Sequence, residues 1–480
     1  MEKSLALVLP DRPGALREVM RILSAHGVDA LRVSYNRVVD VHALFLDVSG
    51  TMAGLEEMMR DLRAWRFLPG QREVAEVRLL EFDLDGRMDV LEQLLALMQR
   101  HELNVTYVDV RTDGLDGGSA RVAVCVTDQR QLAVLLHDAN ELCETRLIKR
   151  GERPNMLDNN HFILSFAHGL ASRLKLSFDE EEEILINSNR VMQNLVSEDA
   201  DPYKPFDYID QVAEYIAAYR GSAFAANTRI MRLMTAGGVS CVCIEPPIGS
   251  DTWIFECDEC LLCVDCGQCC YASELEGILR DLYPDWDERT KKLVLTHADF
   301  DHVGACHLFD EVYASGRVID NFMFESMGIV NWREQNPLAY PYNRIGGVLS
   351  GYRTPAYERM ICLGEPSAMG EQQELLRRID TLEAAPLRFE VWEGKGGHVR
   401  GETLLIERTH KLCLSGDVFV NVHGQTKPQS RYNTLGPYLM TSVDTNPELA
   451  RQEREELFGL LGEGTWQVMG GHGAVYVLKA

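Results

Sequence analysis

The chain has 480 residues, 46% hydrophobic and 25% charged, so it is long enough for several globular domains and too apolar to be disordered over most of its length. Its 48 basic and 73 acidic residues give a net charge of −25, which argues against binding nucleic acid or anionic membranes through a basic face. No apolar run approaches the about 18 residues of a membrane span, and the first run is too short for a signal peptide. We therefore predict a cytoplasmic protein without nucleic-acid or membrane partners.

The first 150 residues predict two copies of a βαββαβ unit, at 1–74 and 75–150. The first copy contains a strand at 4–9, a helix with Leu16, Val19, Met20 and Leu23 on one face, strands at 28–35 and 42–48, a helix at 55–62 and a closing strand with Phe67. A shift of 75 residues aligns apolar positions of this copy with a second one, whose strands are predicted at 77–82, 105–111 and 120–126. Each copy should form a sheet with both helices on one face.

The turn after the first strand carries a short motif, made of Asp11, Arg12, Pro13, Gly14, Ala15 and Leu16. In this position the motif resembles the opening of an ACT domain, a ferredoxin-like regulatory module. The resemblance is weaker in the second copy, where Met88 and Asp89 replace the proline and glycine. It implies either that an effector such as an amino acid binds at the turn, where free N–H groups at a helix start favour a carboxylate, or that the modules serve assembly alone. We expect a homodimer or a larger oligomer.

Residues 151–235 predict a helical connector. Ser177 and Glu180 have the spacing of a capping box, in which each side chain accepts a hydrogen bond from the other residue's backbone. Further helices are predicted at 208–219 and 229–234. This stretch shows no recognisable chemistry.

Potential metal ligands concentrate in residues 236–480. An apolar strand at 292–296 runs into His297, Asp299, Asp301 and His302, which are four potential ligands within six residues. Because burying such groups without partners is costly, we expect them to form a site at the strand end. Three further candidates lie in glycine-flanked loops beside predicted strands, namely His398, Asp417 and His472.

These seven residues in this order resemble the metal-binding motif of the metallo-β-lactamase superfamily of hydrolases and oxidoreductases. The resemblance implies an αββα sandwich for residues 236–480, and thus an α+β chain of three kinds of domain. It also implies two divalent metal ions, one held by His297, Asp299 and His398 and the other by Asp301, His302 and His472, with Asp417 as a bridge. Asp301 would in addition orient the attacking water. Asp265 resembles a supporting aspartate of the family that is not itself a ligand.

Asp299 stands where most hydrolases of this superfamily have a second histidine. A carboxylate oxygen hardens the site and favours iron or manganese relative to zinc. The leading interpretation is an effector-regulated dinuclear hydrolase of a small ester-, lactone- or phosphoester-like metabolite. The alternatives are a diiron redox protein that handles oxygen or nitric oxide, and a sensor that binds without turnover. The chain ends eight residues after His472, so we expect no flavodoxin-like electron donor, which favours the hydrolase.

A cysteine cluster precedes the metal motif. Cys257, Cys260, Cys263 and Cys266 recur at intervals of three, a spacing that suits thiolate coordination of zinc or an iron–sulfur cluster. However, the segment also reads as a buried strand, in which residues three apart point to opposite faces. We therefore favour buried or redox-active thiols over a cluster.

Overall fold

The computed structural model describes residues 1–9, 14–36, 43–64, 76–84, 88–101, 103–112, 118–126, 129–147, 159–197, 204–235, 238–335, 338–365, 372, 374–436 and 443–479. The chain forms two compact units. One comprises Met1–Gly169 with Glu181–Met192, and the other comprises Leu170–Glu180 with Gln193–Ala480. The finer boundaries at 74, 150 and 235 stay predictions.

The first unit is built on one seven-stranded sheet. Its elements are β1 (Glu2–Val8), α1 (Ala15–Ala25), β2 (Asp29–Asn36), β3 (Ala43–Ser49), α2 (Met52–Ala64), β4 (Glu76–Asp83), α3 (Met88–Arg100), β5 (Asn104–Thr112), β6 (Gly118–Val126), α4 (Gln129–Asn140) and β7 (Thr145–Leu147). The strand order is β1-β3-β2-β5-β6-β4-β7. The second copy thus has the predicted βαββαβ order. In the first copy, Phe67 and its predicted closing strand lie outside the described residues.

Corresponding apolar positions of the two copies are buried in one core. In α1 the four residues predicted to share a face are all buried, and so are Leu94, Leu95 and Met98 at the matching positions of α3. The two copies join where β2 pairs antiparallel with β5, from Val33 opposite Val110 to Asn36 opposite Tyr107. The duplication predicted from the sequence therefore produces a single continuous sheet.

The stretch that follows the second copy, from Asn159 to Asn227, is mainly helical, as expected. Its helices are α5 (Asn159–Leu174), α6 (Phe178–Ser197), α7 (Lys204–Ala218) and α8 (Ser222–Asn227). The predicted capping box is confirmed, since the Ser177 N–H donates to Glu180 Oε2 at 2.8 Å and the Glu180 N–H donates to Ser177 Oγ at 3.3 Å. Among the described helices, none has the length and apolar character that crossing a bilayer demands.

The helix predicted at 229–234 is wrong, because these residues form strand β8 (Arg229–Met234). Exposure alternates along it, and it pairs antiparallel with β9 (Ser240–Glu245) from Arg229 opposite Glu245 to Met234 opposite Ser240. A short apolar run fits a helix or a strand equally well, so pairing with a neighbouring strand decides the outcome.

The second unit contains two further sheets. Its remaining elements are β10 (Thr252–Glu256), β11 (Cys260–Val264), α9 (Ala272–Leu282), β12 (Thr290–Val294), β13 (Glu311–Ser315), α10 (Gly316–Ser326), α11 (Ala339–Leu349), β14 (Ile361–Leu363), β15 (Leu376–Ala384), β16 (Leu387–Gly394), β17 (Thr403–Glu407), β18 (Leu412–Gly416), α12 (Lys427–Asn433), α13 (Pro447–Leu461), β19 (Thr465–Gly470) and β20 (Tyr476–Lys479). The strand orders are β14-β13-β12-β11-β10-β9-β8 and β15-β16-β17-β18-β19-β20.

Apolar side chains from both sheets share one core, which includes Phe255 and Val264 of the first sheet and Phe389 and Leu405 of the second. Both sheets are mixed, since β11 to β14 run parallel in one and β18 runs parallel to β19 in the other. Helix α13 packs on the opposite face of the second sheet, where its Leu457 joins a separate core cluster. This mixed α/β arrangement fits the sandwich expected for residues 236–480.

Candidate metal centre

The seven predicted ligands lie in loops that follow or connect strands of the second unit. The segment from His297 to His302 follows β12, Asp417 follows β18 and His472 follows β19, while His398 lies between β16 and β17. Strand β18 is buried throughout and the last two residues of β12 are buried, so each strand delivers its polar residues at the point where the buried run ends. The structure brings all seven side chains together in three overlapping groups of donor atoms.

The first donor group consists of His297, Asp299 and His398. Both histidine Nε2 atoms lie 3.5 Å from Asp299 Oδ2. Burial lowers the pKa of His297, which favours the neutral imidazole that binds metal ions.

The second donor group consists of Asp301, His302 and His472. His302 Nε2 lies 3.8 Å from Asp301 Oδ1, and His472 Nε2 lies 3.5 Å from Asp301 Oδ2. Asp301 is the most exposed of the seven predicted ligands, with 18% of its side chain accessible. It is therefore the carboxylate most open to a bound small molecule.

Asp417 lies between the two groups. Its Oδ2 atom is 3.6 Å from His398 Nε2, 3.7 Å from His302 Nε2 and 3.5 Å from His472 Nε2. Burial would raise the pKa of Asp417, but the nearby histidines outweigh this effect and hold it well below its usual value. Asp417 is therefore an ionised carboxylate close to histidines of both groups, and its bridging role stays a prediction.

Several buried donor atoms of this centre lack a hydrogen-bonding partner within the described residues. They are His297 Nε2, His302 Nε2, Asp417 Oδ1 and His472 Nδ1. A buried polar atom without a partner is costly, and such atoms are rare in folded proteins. Imidazole nitrogens and carboxylate oxygens are also the ligand types that bind zinc, iron and manganese. The donor set therefore fits divalent metal ions.

Other side chains fix the orientation of the ligands. Asp265, which has a φ of +57°, accepts hydrogen bonds from the Thr296 N–H at 2.9 Å, from Thr296 Oγ1 at 2.7 Å and from His302 Nδ1 at 2.8 Å. The last bond places the proton on Nδ1 and leaves Nε2 to face the centre. The supporting position expected for Asp265 is what the structure shows. His398 Nδ1 has a similar partner in Asp444 Oδ1 at 2.9 Å.

Glycine at position 471 is required by the close approach of two predicted ligands. A Cβ atom there would lie 2.2 Å from Asp417 Oδ1 and 2.7 Å from His302 Cε1. Both distances are far shorter than van der Waals contact, so any side chain at this position would displace both residues.

Sequence reasoning missed two charged residues that contact the centre. Arg333 donates through Nε to Asp299 Oδ1 at 2.8 Å and through Nη2 to Asp299 Oδ2 and to His398 Nε2, the latter at 2.9 Å. Burial would raise the pKa of Asp299, but the Arg333 guanidinium holds it well below its usual value. Glu402 accepts hydrogen bonds from the Asp417 N–H at 2.6 Å and the Val418 N–H at 2.9 Å, and burial raises its pKa to about 8.

The four cysteines of the cluster lie in or beside the hairpin of β10 and β11. Cys260, Cys263 and Cys266 are buried, whereas Cys257 is partly buried against the same core. Burial raises the pKa of Cys257 to about 12 and also raises that of Cys260, which disfavours the thiolate form that binds metals. Within the described residues, the cysteines do not converge as a set of three donor atoms.

A fifth cysteine, Cys306, was not singled out from the sequence. Its Sγ lies 3.9 Å from Cys266 Sγ, and Cys266 Sγ in turn donates to the His302 carbonyl at 3.4 Å. Cys266 Sγ therefore contacts the backbone of the metal motif.

The predicted effector motif is only partly within the described residues. Asp11, Arg12 and Pro13 lie outside them. Gly14 precedes α1, and Ala15 and Leu16 are buried in the core of the first unit. Effector binding at the turn stays a prediction.

No protein-family model matches the chain, and no curated protein matches it. Solved structures do. A flavoprotein from Thermotoga maritima matches with a TM-score of 0.32 and 12% identity, over 52% of this chain and 57% of that one. A class B3 di-zinc metallo-β-lactamase from an Alaskan soil metagenome matches with a TM-score of 0.32 and 12% identity, over 51% of this chain and 78% of that one. The metallo-β-lactamase GOB-18 from Elizabethkingia meningoseptica matches with a TM-score of 0.32 and 11% identity, over 51% of this chain and 76% of that one.

Other similar structures include a flavo-diiron protein variant from Thermotoga maritima and a metallo-β-lactamase from Cronobacter sakazakii. The resemblance to the metallo-β-lactamase superfamily therefore rests on the seven motif residues and their convergence in the structure, and the ACT-like resemblance stays a prediction. The match spans a little over half of the Thermotoga flavoprotein. At this low identity and TM-score, it does not define an activity.

Proposed function

We propose that the chain is a metal-dependent hydrolase of a small ester-, lactone- or phosphoester-like metabolite. The observation that supports it best is the set of buried, unpartnered donor atoms of His297, His302 and Asp417, which converge from two loops, one after β12 and one after β18. The first donor group would hold one divalent ion, the second would hold another, and Asp417 would bridge them. Such ions, when bound, act as Lewis acids and lower the pKa of water.

The chain's own residues would orient the reactants. Asp301, the most exposed of the predicted ligands, is placed to accept a hydrogen bond from the attacking water and to hold its proton. Asp265 would keep His302 in the tautomer that leaves Nε2 free. The buried end of β12 and the buried strand β18 would position these groups on a rigid framework, which limits the reorganisation needed during reaction.

A second candidate function is a diiron redox or sensor protein that handles oxygen or nitric oxide. Asp299 is the residue that favours it, because a carboxylate in the first donor group hardens that site toward iron. Both candidates use the same donor groups, and they differ in metal and in chemistry.

Metal analysis after anaerobic purification separates these candidates. The hydrolase should turn over generic phosphodiesters or lactones with zinc or manganese, and air should not change its spectrum. The matched control Asp310→Asn, which removes a carboxylate bound to the Lys291 N–H and not part of the donor groups, should keep this activity. A diferrous protein that reacts rapidly with oxygen and hydrolyses nothing would contradict the hydrolase, and a protein that binds metal without either reaction would indicate a sensor.

We also propose that residues 1–150 regulate the chain as paired ACT-like modules, through a homodimer or larger oligomer and an amino-acid effector. The support is the repeated element order on one sheet. Thermal-shift screening of amino acids, combined with sedimentation analysis, tests this proposal. A monomer that no amino acid stabilises would contradict it. The cytoplasmic location and the absence of nucleic-acid and membrane partners stay predictions from composition.

A further inference from the structure

Arg333 contacts the atoms that would ligate the first metal ion. Its Nε and Nη2 atoms form a bidentate hydrogen-bonded contact with the two carboxylate oxygens of Asp299. Nη2 also donates to His398 Nε2 at 2.9 Å. Its Nη1 donates to the Val443 carbonyl at 2.6 Å. The side chain is only 8% exposed, so this guanidinium is a fully engaged, buried cation.

The loop that carries Arg333 is anchored to helix α10. The Trp332 N–H donates to Asn321 Oδ1 at 3.0 Å, and Trp332 Nε1 donates to the Arg317 carbonyl at 3.2 Å. Asn331 Nδ2 donates to Glu325 Oε1 at 2.8 Å. These bonds fix the backbone on one side of Arg333, so its approach to the first donor group is built into the fold.

An ion in the first donor group and the Arg333 Nη2 atom require the same space. A first-row metal ion binds imidazole nitrogen and carboxylate oxygen at about 2.0–2.2 Å. Nη2 already contacts Asp299 Oδ2 and His398 Nε2, the two atoms such an ion would need. The guanidinium would therefore have to leave before an ion could use both ligands.

The second donor group differs in this respect. Within the described residues, no hydrogen bond or ion pair joins an arginine or lysine to Asp301, His302 or His472. His302 Nε2 lacks a partner, whereas His398 Nε2 has one in Arg333. The two groups are thus unequal before any ion binds.

We infer that Arg333 is an internal cation that competes with metal for the first donor group, so that the second donor group fills first and the first fills only when the guanidinium withdraws. The inference rests on the proposed metal centre and adds an order of loading to it. The occupied first group would carry the charge of the ion in place of that of Arg333, and Asp299 would stay neutralised in both states.

Anaerobic titration with Co²⁺, followed by its visible absorption and by competition with a chromophoric chelator, tests the order of loading. The wild-type protein should bind one equivalent tightly and a second more weakly. Arg333→Met should strengthen the second step by about 10- to 100-fold, the range expected when a buried charge-assisted contact no longer has to be broken. Arg333→Lys, which keeps a cation, should leave the second step weaker than in Arg333→Met.

Two controls guard against loss of folding. Thermal unfolding of each variant reports stability, and Arg333→Gln offers a second neutral variant if the methionine variant is unstable. Arg317→Met removes another buried arginine, one that donates to Glu393 at 2.8 Å, and should not change the second binding step. Two equally tight steps in the wild type, unchanged in Arg333→Met and Arg333→Gln, would overturn the inference and leave the proposed function standing. Absence of cobalt binding in every variant would overturn both.

Discussion

Asp265→Asn should weaken metal binding at the second donor group without disturbing the fold. Asparagine has nearly the shape of aspartate and tolerates the left-handed backbone of this position, where φ is +57°. The substitution replaces one carboxylate oxygen by an NH₂ group. The three hydrogen bonds that Asp265 accepts, from Thr296 twice and from His302 once, decide where that group goes.

If the NH₂ group replaced Oδ1, it would face the Thr296 N–H at 2.9 Å, and two donors would oppose each other. The NH₂ group should therefore take the place of Oδ2, which lies 2.8 Å from His302 Nδ1 in the wild-type protein. His302 must then accept at Nδ1, which moves its proton to Nε2, the atom needed for the metal. Changes to such supporting partners reduce metal affinity by about 10- to 100-fold, or about 1.4–2.7 kcal/mol.

Competition between the protein and a chromophoric chelator measures this change directly. Asp444→Asn is the matched comparison, because Asp444 holds His398 in the first donor group and should affect that group instead. An unchanged affinity of the second donor group in Asp265→Asn would show that the hydrogen bond to His302 does not control its tautomer, and the reasoning would be refuted.

Three further outcomes are expected. Asp417→Ala should remove the carboxylate shared by both groups, so metal content measured by elemental analysis should fall sharply, and two ions retained per chain would contradict the bridging role. Asp299→His should shift competition toward zinc and abolish any response to oxygen, since imidazole is a softer ligand. The hydrogen bond from Arg353 lowers the pKa of Glu180, so its stabilising contribution is present above the ordinary pKa of glutamate and is lost as pH falls through the lowered value. Glu180→Gln should therefore flatten the fall in unfolding free energy, measured by urea denaturation, between about pH 5 and pH 3.

The predicted ligands could be found from the sequence because each follows an apolar strand or lies beside glycines. The segment from His297 to His302 follows an apolar strand directly, and His398 and His472 stand beside glycines. Buried strands end where polar residues begin, so strand ends mark the site even without knowledge of the pairing. The helical faces of the first unit were predictable for a similar reason, since their apolar spacing repeats within a few residues.

Arg333 could not be found in this way. It lies in a loop of ordinary composition, 34 residues after its partner Asp299, and the contact depends on how α10 places that loop. Glu402 directly precedes β17 and accepts a hydrogen bond from the Asp417 N–H, yet the sequence around it contains no motif that would single it out. The strand at 229–234 was mistaken for a helix because its pairing with β9 is not visible in six residues. Contacts set by tertiary structure leave no local trace.

The absence of a side chain at Gly471 has a consequence for how this centre would be mapped by mutagenesis. Alanine scanning assumes that the substituted residue loses atoms, yet at Gly471 it would add a methyl carbon 2.2 Å from Asp417 Oδ1. The scan would report one of its largest effects at a residue that contributes no ligand. A designer who copied only the seven donor side chains onto another scaffold would likewise omit the glycine that allows two of them to approach each other.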